Sequence, residues 1–314
     1  MKKKAIIISI KAYTLNKEEK KILKNEKPWG LILFKRNIKN FTQLKTLIRK
    51  IRIITKDKKF PILIDEEGET VSRLVNIFKN KFTQNFFGDI YKYNPKLASV
   101  LYKNYIKNLT TVLKKVGINI NTVPVLDVLR KSTHNIIGKR SFSESPLIVK
   151  RLGQMCVKNY KLNKIFTVIK HIPGHGCSSS DSHLKTPRVN LSFNKLKSND
   201  FSPFKSSTSL FAMTAHVIYS KIDNKNVATF SKKIVSEIIR KKIGFKGILI
   251  SDDISMKALK YNLLTNAQKS LAAGCNIILY CGGNHKDTLK LIKKIPFIDQ
   301  FTLKKTSEFY KQLG

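Results

Sequence analysis

Three of the chain's six histidines fall in one short stretch, Lys170-His-Ile-Pro-Gly-His-Gly-Cys-Ser-Ser-Ser-Asp-Ser-His183. Imidazole titrates near neutral pH, so a loop carrying His171, His175 and His183 beside Asp181 can take up and release protons. It leaves the largely apolar run Ile165–Ile169, and Pro173, Gly174 and Gly176 allow it to bend sharply. Ionisable groups follow other apolar runs in the same way. Asp65 comes after Ile62-Leu63-Ile64, Asp127 after Pro124-Val125-Leu126, His216 after Met213-Thr214-Ala215 and Asp252 after Ile250-Ser251. With Lys170-His171, ionisable groups thus follow five successive runs. Any one of them could be a helix cap. Together they suit hydrolysis, which needs one group to attack or assist and another to move protons.

The runs that carry these groups belong to a longer series: Ala5–Ile10, Leu31–Phe34, Ile62–Ile64, Ile118–Val125, Phe166–Ile169, Leu210–Thr214, Gly247–Ile250 and Asn276–Tyr280. Most are unbroken rather than alternating, which predicts strands buried on both faces of a parallel sheet. Segments of helical period separate them, at 16–24, 42–54, 95–116, 146–162, 231–242, 264–273, 287–294 and 302–313. Eight strands alternating with helices predict a (β/α)8 TIM-type barrel forming a single domain over residues 1–314, with a doubly wound open sheet as the alternative. In a barrel, the residues that follow the strands gather at one mouth. The poorly periodic stretches 75–92 and 177–208 are expected as loops over it.

The chain carries 61 basic and 20 acidic residues, a formal charge of +41. That balance raises a nucleic-acid-binding role, and a positive field also concentrates anionic substrates. Lysine is nevertheless spread through nearly every segment, without a zinc finger, basic zipper or RNA-recognition signature, so nucleic acid is not expected as the main partner. A metal-dependent hydrolase is the other alternative, with His171 and His175 at i, i+4 and Asp181, His183 and His216 to complete a site. Pro173 and Gly174 forbid a regular helix between the first two histidines, which removes the geometric meaning of that spacing. Cys156, Cys177, Cys275 and Cys281 form no paired spacing and read as free thiols in a reducing compartment. The opening Met1-Lys-Lys-Lys with its short apolar run reads as a first strand rather than a signal peptide, and no apolar segment is long enough to span a bilayer. The expectation is a cytoplasmic monomer, with no membrane partner.

The sequence resembles family 3 glycoside hydrolases, in particular the single-domain bacterial β-N-acetylhexosaminidases of peptidoglycan recycling. The motifs that carry the likeness are Ile64-Asp-Glu-Glu-Gly-Glu-Thr-Val-Ser-Arg-Leu74, Pro124-Val-Leu-Asp-Val128, Ile137-Gly-Lys-Arg-Ser-Phe142, Lys170-His-Ile-Pro-Gly-His-Gly176 with Asp181-Ser-His183, and Ser251-Asp-Asp-Ile-Ser-Met256. The resemblance implies Asp252 as nucleophile, His183 as general acid/base and Asp181 as the group that orients it. It also implies sugar binding by Asp65, Arg73, Arg140, Lys170 and His171, a peptidoglycan-derived sugar as substrate, and neither metal nor other cofactor. A histidine departs from the usual two-carboxylate scheme of retaining enzymes, but it holds a proton near pH 7 without special tuning. Two positions depart from the family pattern: Glu69-Thr70 replace a Gly-Arg pair, and Cys177 with a serine run replaces the more frequent Asp-Thr. Since successive side chains of a strand point opposite ways, one of Asp252 and Asp253 is expected to face the sugar.

Overall fold

The computed structural model describes residues 2–131, 133–178 and 186–314. Eight parallel strands close into a barrel in sequence order: β1 (Lys4–Ile8), β2 (Pro28–Leu33), β3 (Ile62–Ile64), β4 (Ile120–Asn121), β5 (Phe166–Ile172), β6 (Phe211–Thr214), β7 (Ile248–Asp253) and β8 (Ile277–Leu279), which returns to β1. Each expected apolar run supplies one strand. β4 is shorter than its run because Pro124 has no N–H to give the ladder, and pairing with β5 resumes at Val125 as a single bridge to Lys170.

Two apolar layers hold the barrel. Inside it, Ile7, Trp29, Ile32, Leu63, Ile120, Phe166, Val168, Phe211, Met213, Ile248, Ile250, Ile277 and Leu279 form one cluster. The opposite strand faces pack against the helices in a second, larger cluster. The final helix, Gln300–Gln312, seals the end from which the strands start. Its Phe309 ring lies 4.7 Å from that of Phe166 and 5.9 Å from that of Phe211. Trp29 Nε1 donates to Thr306 Oγ1 at 2.9 Å, so the buried indole N–H is satisfied. The barrel is therefore a packed core closed at one end, and polar side chains can collect only at the other.

The expected helices form, with Ile22–Glu26 and Ile234–Ile243 taking a wider, π-type winding. Two further helices lie in stretches expected as loops. Gln84–Tyr93 is capped by Thr83, whose Oγ1 accepts from Phe86 N, and Phe193–Ser198 is capped by Ser192. Periodicity was weak in the first because its packing depends on a cluster of rings, with Phe87 4.6 Å from Tyr102 and 5.2 Å from Tyr105. Its first residue reaches the mouth: Gln84 Nε2 donates to the carbonyls of Val125 (2.9 Å) and Arg140 (2.6 Å), and its Oε1 accepts from Val125 N. All four cysteines are unpaired. Among the described residues, no helix is long and apolar enough to cross a membrane.

Gly88 lets that helix approach the segment bearing Arg140, since a β-carbon there would fall 1.7 Å from the Phe142 carbonyl oxygen. Alanine in an exposed helix gains about 1 kcal/mol over glycine. Here overpacking against backbone outweighs that gain, and Gly88→Ala is expected to cost about 1–3 kcal/mol. Denaturant unfolding measures it, and equal or higher stability would contradict the packing.

Candidate active site

The inward face of the barrel continues from apolar core into a polar cleft. On each strand the pleat carries the series upward two residues at a time: Ile32 to Phe34, Leu63 to Asp65 and Glu67, Val168 to Lys170, Phe211 to Met213, Ile250 to Asp252, and Leu279 to Cys281. The upper members of each series line a cavity of about 310 Å³, together with Val71, Arg73, Ile136, Ile137, Arg140, His171, His175, Asp253 and Met256. Two departures from strict alternation enlarge the polar set. Between Lys170 and Ile172 the register of β5 slips against β6, and between Ile250 and Asp253 that of β7 slips against β8. Such bulges re-aim side chains. His171 accordingly joins Lys170 on the cleft, and Asp253 lines it beside Asp252.

Lys170 is almost fully buried, and its ammonium is met from three directions. Nζ lies 2.6 Å from Glu67 Oε1, 3.2 Å from Asp65 Oδ1 and 2.8 Å from Thr122 Oγ1. Arg140 makes a forked pair with Glu67, Nε to Oε2 at 2.7 Å and Nη2 to Oε1 at 2.9 Å. Arg73 Nη2 approaches Asp65 Oδ2 at 3.6 Å, and the Thr122 hydroxyl donates to the same carboxylate. Burial disfavours both carboxylates' charges, but the adjacent cations override it. Asp65 is held below its ordinary pKa by Lys170 and Arg73, and Glu67 well below by Arg140 and Lys170.

Across the cleft, His171 Nδ1 pairs with Asp127 Oδ2 at 2.7 Å, and Asp127 Oδ1 accepts from the backbone N–H of His175 at 2.6 Å. Burial lowers the His175 pKa to about 4, with His171 adding to the effect against the pull of Asp127, so its ring is neutral at pH 7. His216 is buried, and that lowers its pKa. Its Nε2 lies 3.1 Å from the Asp253 carbonyl oxygen and its Nδ1 lies 2.7 Å from the Thr229 hydroxyl oxygen. Asp252 sits half-buried at the end of β7. Burial opposes its ionisation, yet His216, His171, the N–H of Asp253 and Lys170 together hold it below the ordinary carboxylate range. Asp253 is its opposite. Burial raises its pKa, and its oxygens are taken up by Ser255 N, Ser255 Oγ and Cys281 N.

Asp65, Arg73, Arg140, Lys170, His171 and Asp252 thus meet in one cleft. Asp181 and His183 lie outside the described residues. The stem of their loop is well anchored: the Tyr219 hydroxyl donates to the Gly174 carbonyl, Thr133 Oγ1 donates to that of Gly176 at 2.5 Å, and a β-carbon on Gly176 would meet the Val128 carbonyl oxygen at 1.9 Å. His171 is committed to Asp127, and among the described residues no three His, Cys, Asp or Glu side chains gather as metal ligands. Sequence reasoning missed Glu67 as a member of the cleft and Thr122 as the buried partner of Asp65 and Lys170. The first was signalled by the pleat, because Glu67 shares the face of Asp65 two residues earlier. Thr122 gave no local signal.

The charge on Glu67 is a stability term whose sign follows from its depressed pKa. The contribution is complete above the unfolded value of about 4.3 and is lost as pH falls through the folded one. Glu67→Gln should therefore cost about 3 kcal/mol at pH 7, where two buried cations lose their shared partner. The gap to wild type should narrow progressively as pH falls below about 4. Denaturant titrations at pH 7, 5 and 3 test this, and a gap that widens in acid would refute it.

Residues 2–303 match the model of the glycosyl hydrolase family 3 N-terminal domain. Among named relatives, the β-hexosaminidase of Neisseria gonorrhoeae (strain ATCC 700825 / FA 1090) is 35% identical over 282 residues, covering 88% of this chain and 77% of the relative. That of Nitrosomonas eutropha is 32% identical over 281 residues, covering 88% and 80%. The crystal structure of NagZ from Neisseria gonorrhoeae in complex with N-trifluoroacetyl-D-glucosamine superposes with a TM-score of 0.87 at 30% identity, covering 100% of this chain and 90% of that one. A charged cleft at the open end of a barrel, on a sequence matched over almost its whole length, places this chain in glycosyl hydrolase family 3.

Proposed function

We propose that the chain is a retaining exo-β-N-acetylglucosaminidase that releases terminal β-linked N-acetylglucosamine from muropeptide-derived 1,6-anhydro-muramic acid fragments in the cytoplasm. The observation that carries this reading is the Asp252 carboxylate. It lies on the inner face at the end of β7, is kept ionised by surrounding donors, and looks onto a cleft bounded by Lys170, His171 and Arg140. The names of the relatives support the hexosaminidase class, and the ligand in the gonococcal crystal structure supports an N-acylated glucosamine. The closed barrel floor and small cavity suit a single terminal sugar, and hence exo action.

The reaction runs by two displacements. Asp252 attacks the anomeric carbon and forms a glycosyl ester as the bond to the leaving oxygen breaks. His183 gives its proton to that oxygen, with Asp181 orienting the imidazole. Water then attacks the ester and loses its proton to His183, which frees Asp252 and yields the sugar in its original β configuration. Asp65, Arg73, Arg140, Lys170 and His171 bind the sugar hydroxyls and N-acetyl group, as their acceptors and forked donors allow.

Hydrolysis of aryl β-N-acetylglucosaminide, β-glucoside and β-xyloside side by side tests the substrate class, and the first should dominate. Asp252→Asn should abolish turnover while Asp253→Asn retains measurable activity. A 5-fluoro glycosyl inactivator should label the peptide containing Asp252. Labelling elsewhere, or NMR showing the α-anomer as first product, would exclude the mechanism.

His183→Ala should lower the rate by about 10²–10⁴ for a leaving group that needs protonation. The loss should be smaller for one that departs as a stable phenolate. Equal losses for both in single-turnover glycosylation would remove His183 from the acid role.

A further inference from the structure

Glu66, the middle carboxylate of the run Asp65-Glu66-Glu67, is used by no step above, although it is fully buried. The pleat turns it away from the cleft, behind its two neighbours. Its Oε2 accepts from the backbone N–H of Arg73 at 2.8 Å and of Leu74 at 3.0 Å, and its Oε1 accepts from Asn80 Nδ2 at 3.0 Å. Its own peptide is bracketed by one side chain, the Glu66 N–H donating to Asn121 Oδ1 at 3.0 Å and the Glu66 carbonyl accepting from Asn121 Nδ2 at 2.9 Å. No ion pair to Glu66 occurs among the described residues. A buried carboxylate with no cation is costly, and burial pushes its pKa up. A hydrophobic residue would fill the volume without that cost. What it could not do is hold the two consecutive amides.

Those amides belong to the segment that delivers Arg73 and Val71 to the cleft. Arg73 is thereby fixed at both ends. Glu66 holds its backbone from behind, while its guanidinium meets Asp65 and lies 5.5 Å over the Phe34 ring. The segment is tied back again where Glu67 N donates to the Val71 carbonyl at 2.9 Å. We infer that Glu66 is a positioning residue for substrate recognition, acting through the backbone of Arg73 and Leu74 to hold the Arg73 guanidinium at the sugar. This rests on the reading of Arg73 as a sugar-binding group.

Three variants separate positioning from simple core filling. Glu66→Gln keeps the length and an acceptor oxygen for the two amides, and its KM for an aryl β-N-acetylglucosaminide should stay within about twofold of wild type. Glu66→Asp keeps the charge but draws the oxygens back by one methylene, and Glu66→Leu removes them. Both should raise KM about tenfold or more, on the scale of one or two lost hydrogen bonds, with a smaller change in kcat. In an Arg73→Ala background, the Glu66→Asp effect on KM should disappear. Hydrogen exchange of the Arg73 and Leu74 amides gives a readout free of activity, and it should quicken in the Asp variant but not in the Gln variant. Full additivity with Arg73→Ala, or wild-type exchange at both amides in Glu66→Asp, would overturn the inference. Faster exchange in a protein whose wild type cleaves no N-acetylglucosaminide would uphold Glu66 as the anchor of the segment and overturn the proposed function instead.

Discussion

The buried ammonium of Lys170 is the constraint around which the mouth of this barrel is built. A charge taken out of water must be met by opposite charge and by hydrogen bonds, or it forces the chain to neutralise it. Here Glu67, Asp65 and Thr122 meet it directly, and Arg140 then balances the second carboxylate of the set. The groups come from β5, the β3 loop, the β4 loop and the segment after it, so one charge network ties four regions of the rim. Because Lys170, Asp65, Glu67 and Thr122 are each held by at least two other members, the donors that line the cleft are fixed before any ligand arrives, which is the condition for strong polar recognition.

The pleat explains how much of this could be read from the sequence. Strand positions were legible because buried parallel strands are continuous apolar runs, and the residue that ends each run has few places to go except the mouth. Glu67 was legible in principle, since it repeats the face of Asp65. His171 and Asp253 were not placed by that rule. Each sits at a bulge where the register slips by one residue, and a bulge is set by the neighbouring strand's length and hydrogen bonds, which a single strand's sequence does not contain. The helix Gln84–Tyr93 escaped for a related reason. Its apolar face is defined by rings from the helix Pro95–Val116 and by the close approach at Gly88, both of which are tertiary contacts.

That missed helix is also part of the site's support. Gln84 holds the carbonyls of Val125 and Arg140 with one amide group, so the segment following β4 and the turn presenting Arg140 share an anchor. Glu66 does the same for the segment presenting Arg73. Gln84 is an amide and Glu66 makes no ion pair among the described residues, and both stand behind the cleft, while the ion pairs stand in front. This arrangement keeps the strong fields where a sugar can use them and leaves the supporting bonds insensitive to salt.

The same division of charge bears on which group can deliver the proton in the proposed reaction. Asp253 holds a raised pKa and so could in principle carry a proton. It follows Asp252 directly on β7, however, and its oxygens are occupied by Ser255 and Cys281. An acid adjacent in sequence to the nucleophile approaches the anomeric carbon from the nucleophile's own side, whereas the leaving oxygen departs on the other. His216 has both ring nitrogens engaged behind Asp253, and His171 is bound to Asp127. The proposed acid, His183, follows β5 in the sequence, and β5 stands two strands from β7 in the barrel, so its assignment rests on the resemblance of the Asp181-Ser-His183 motif rather than on a second carboxylate of the rim.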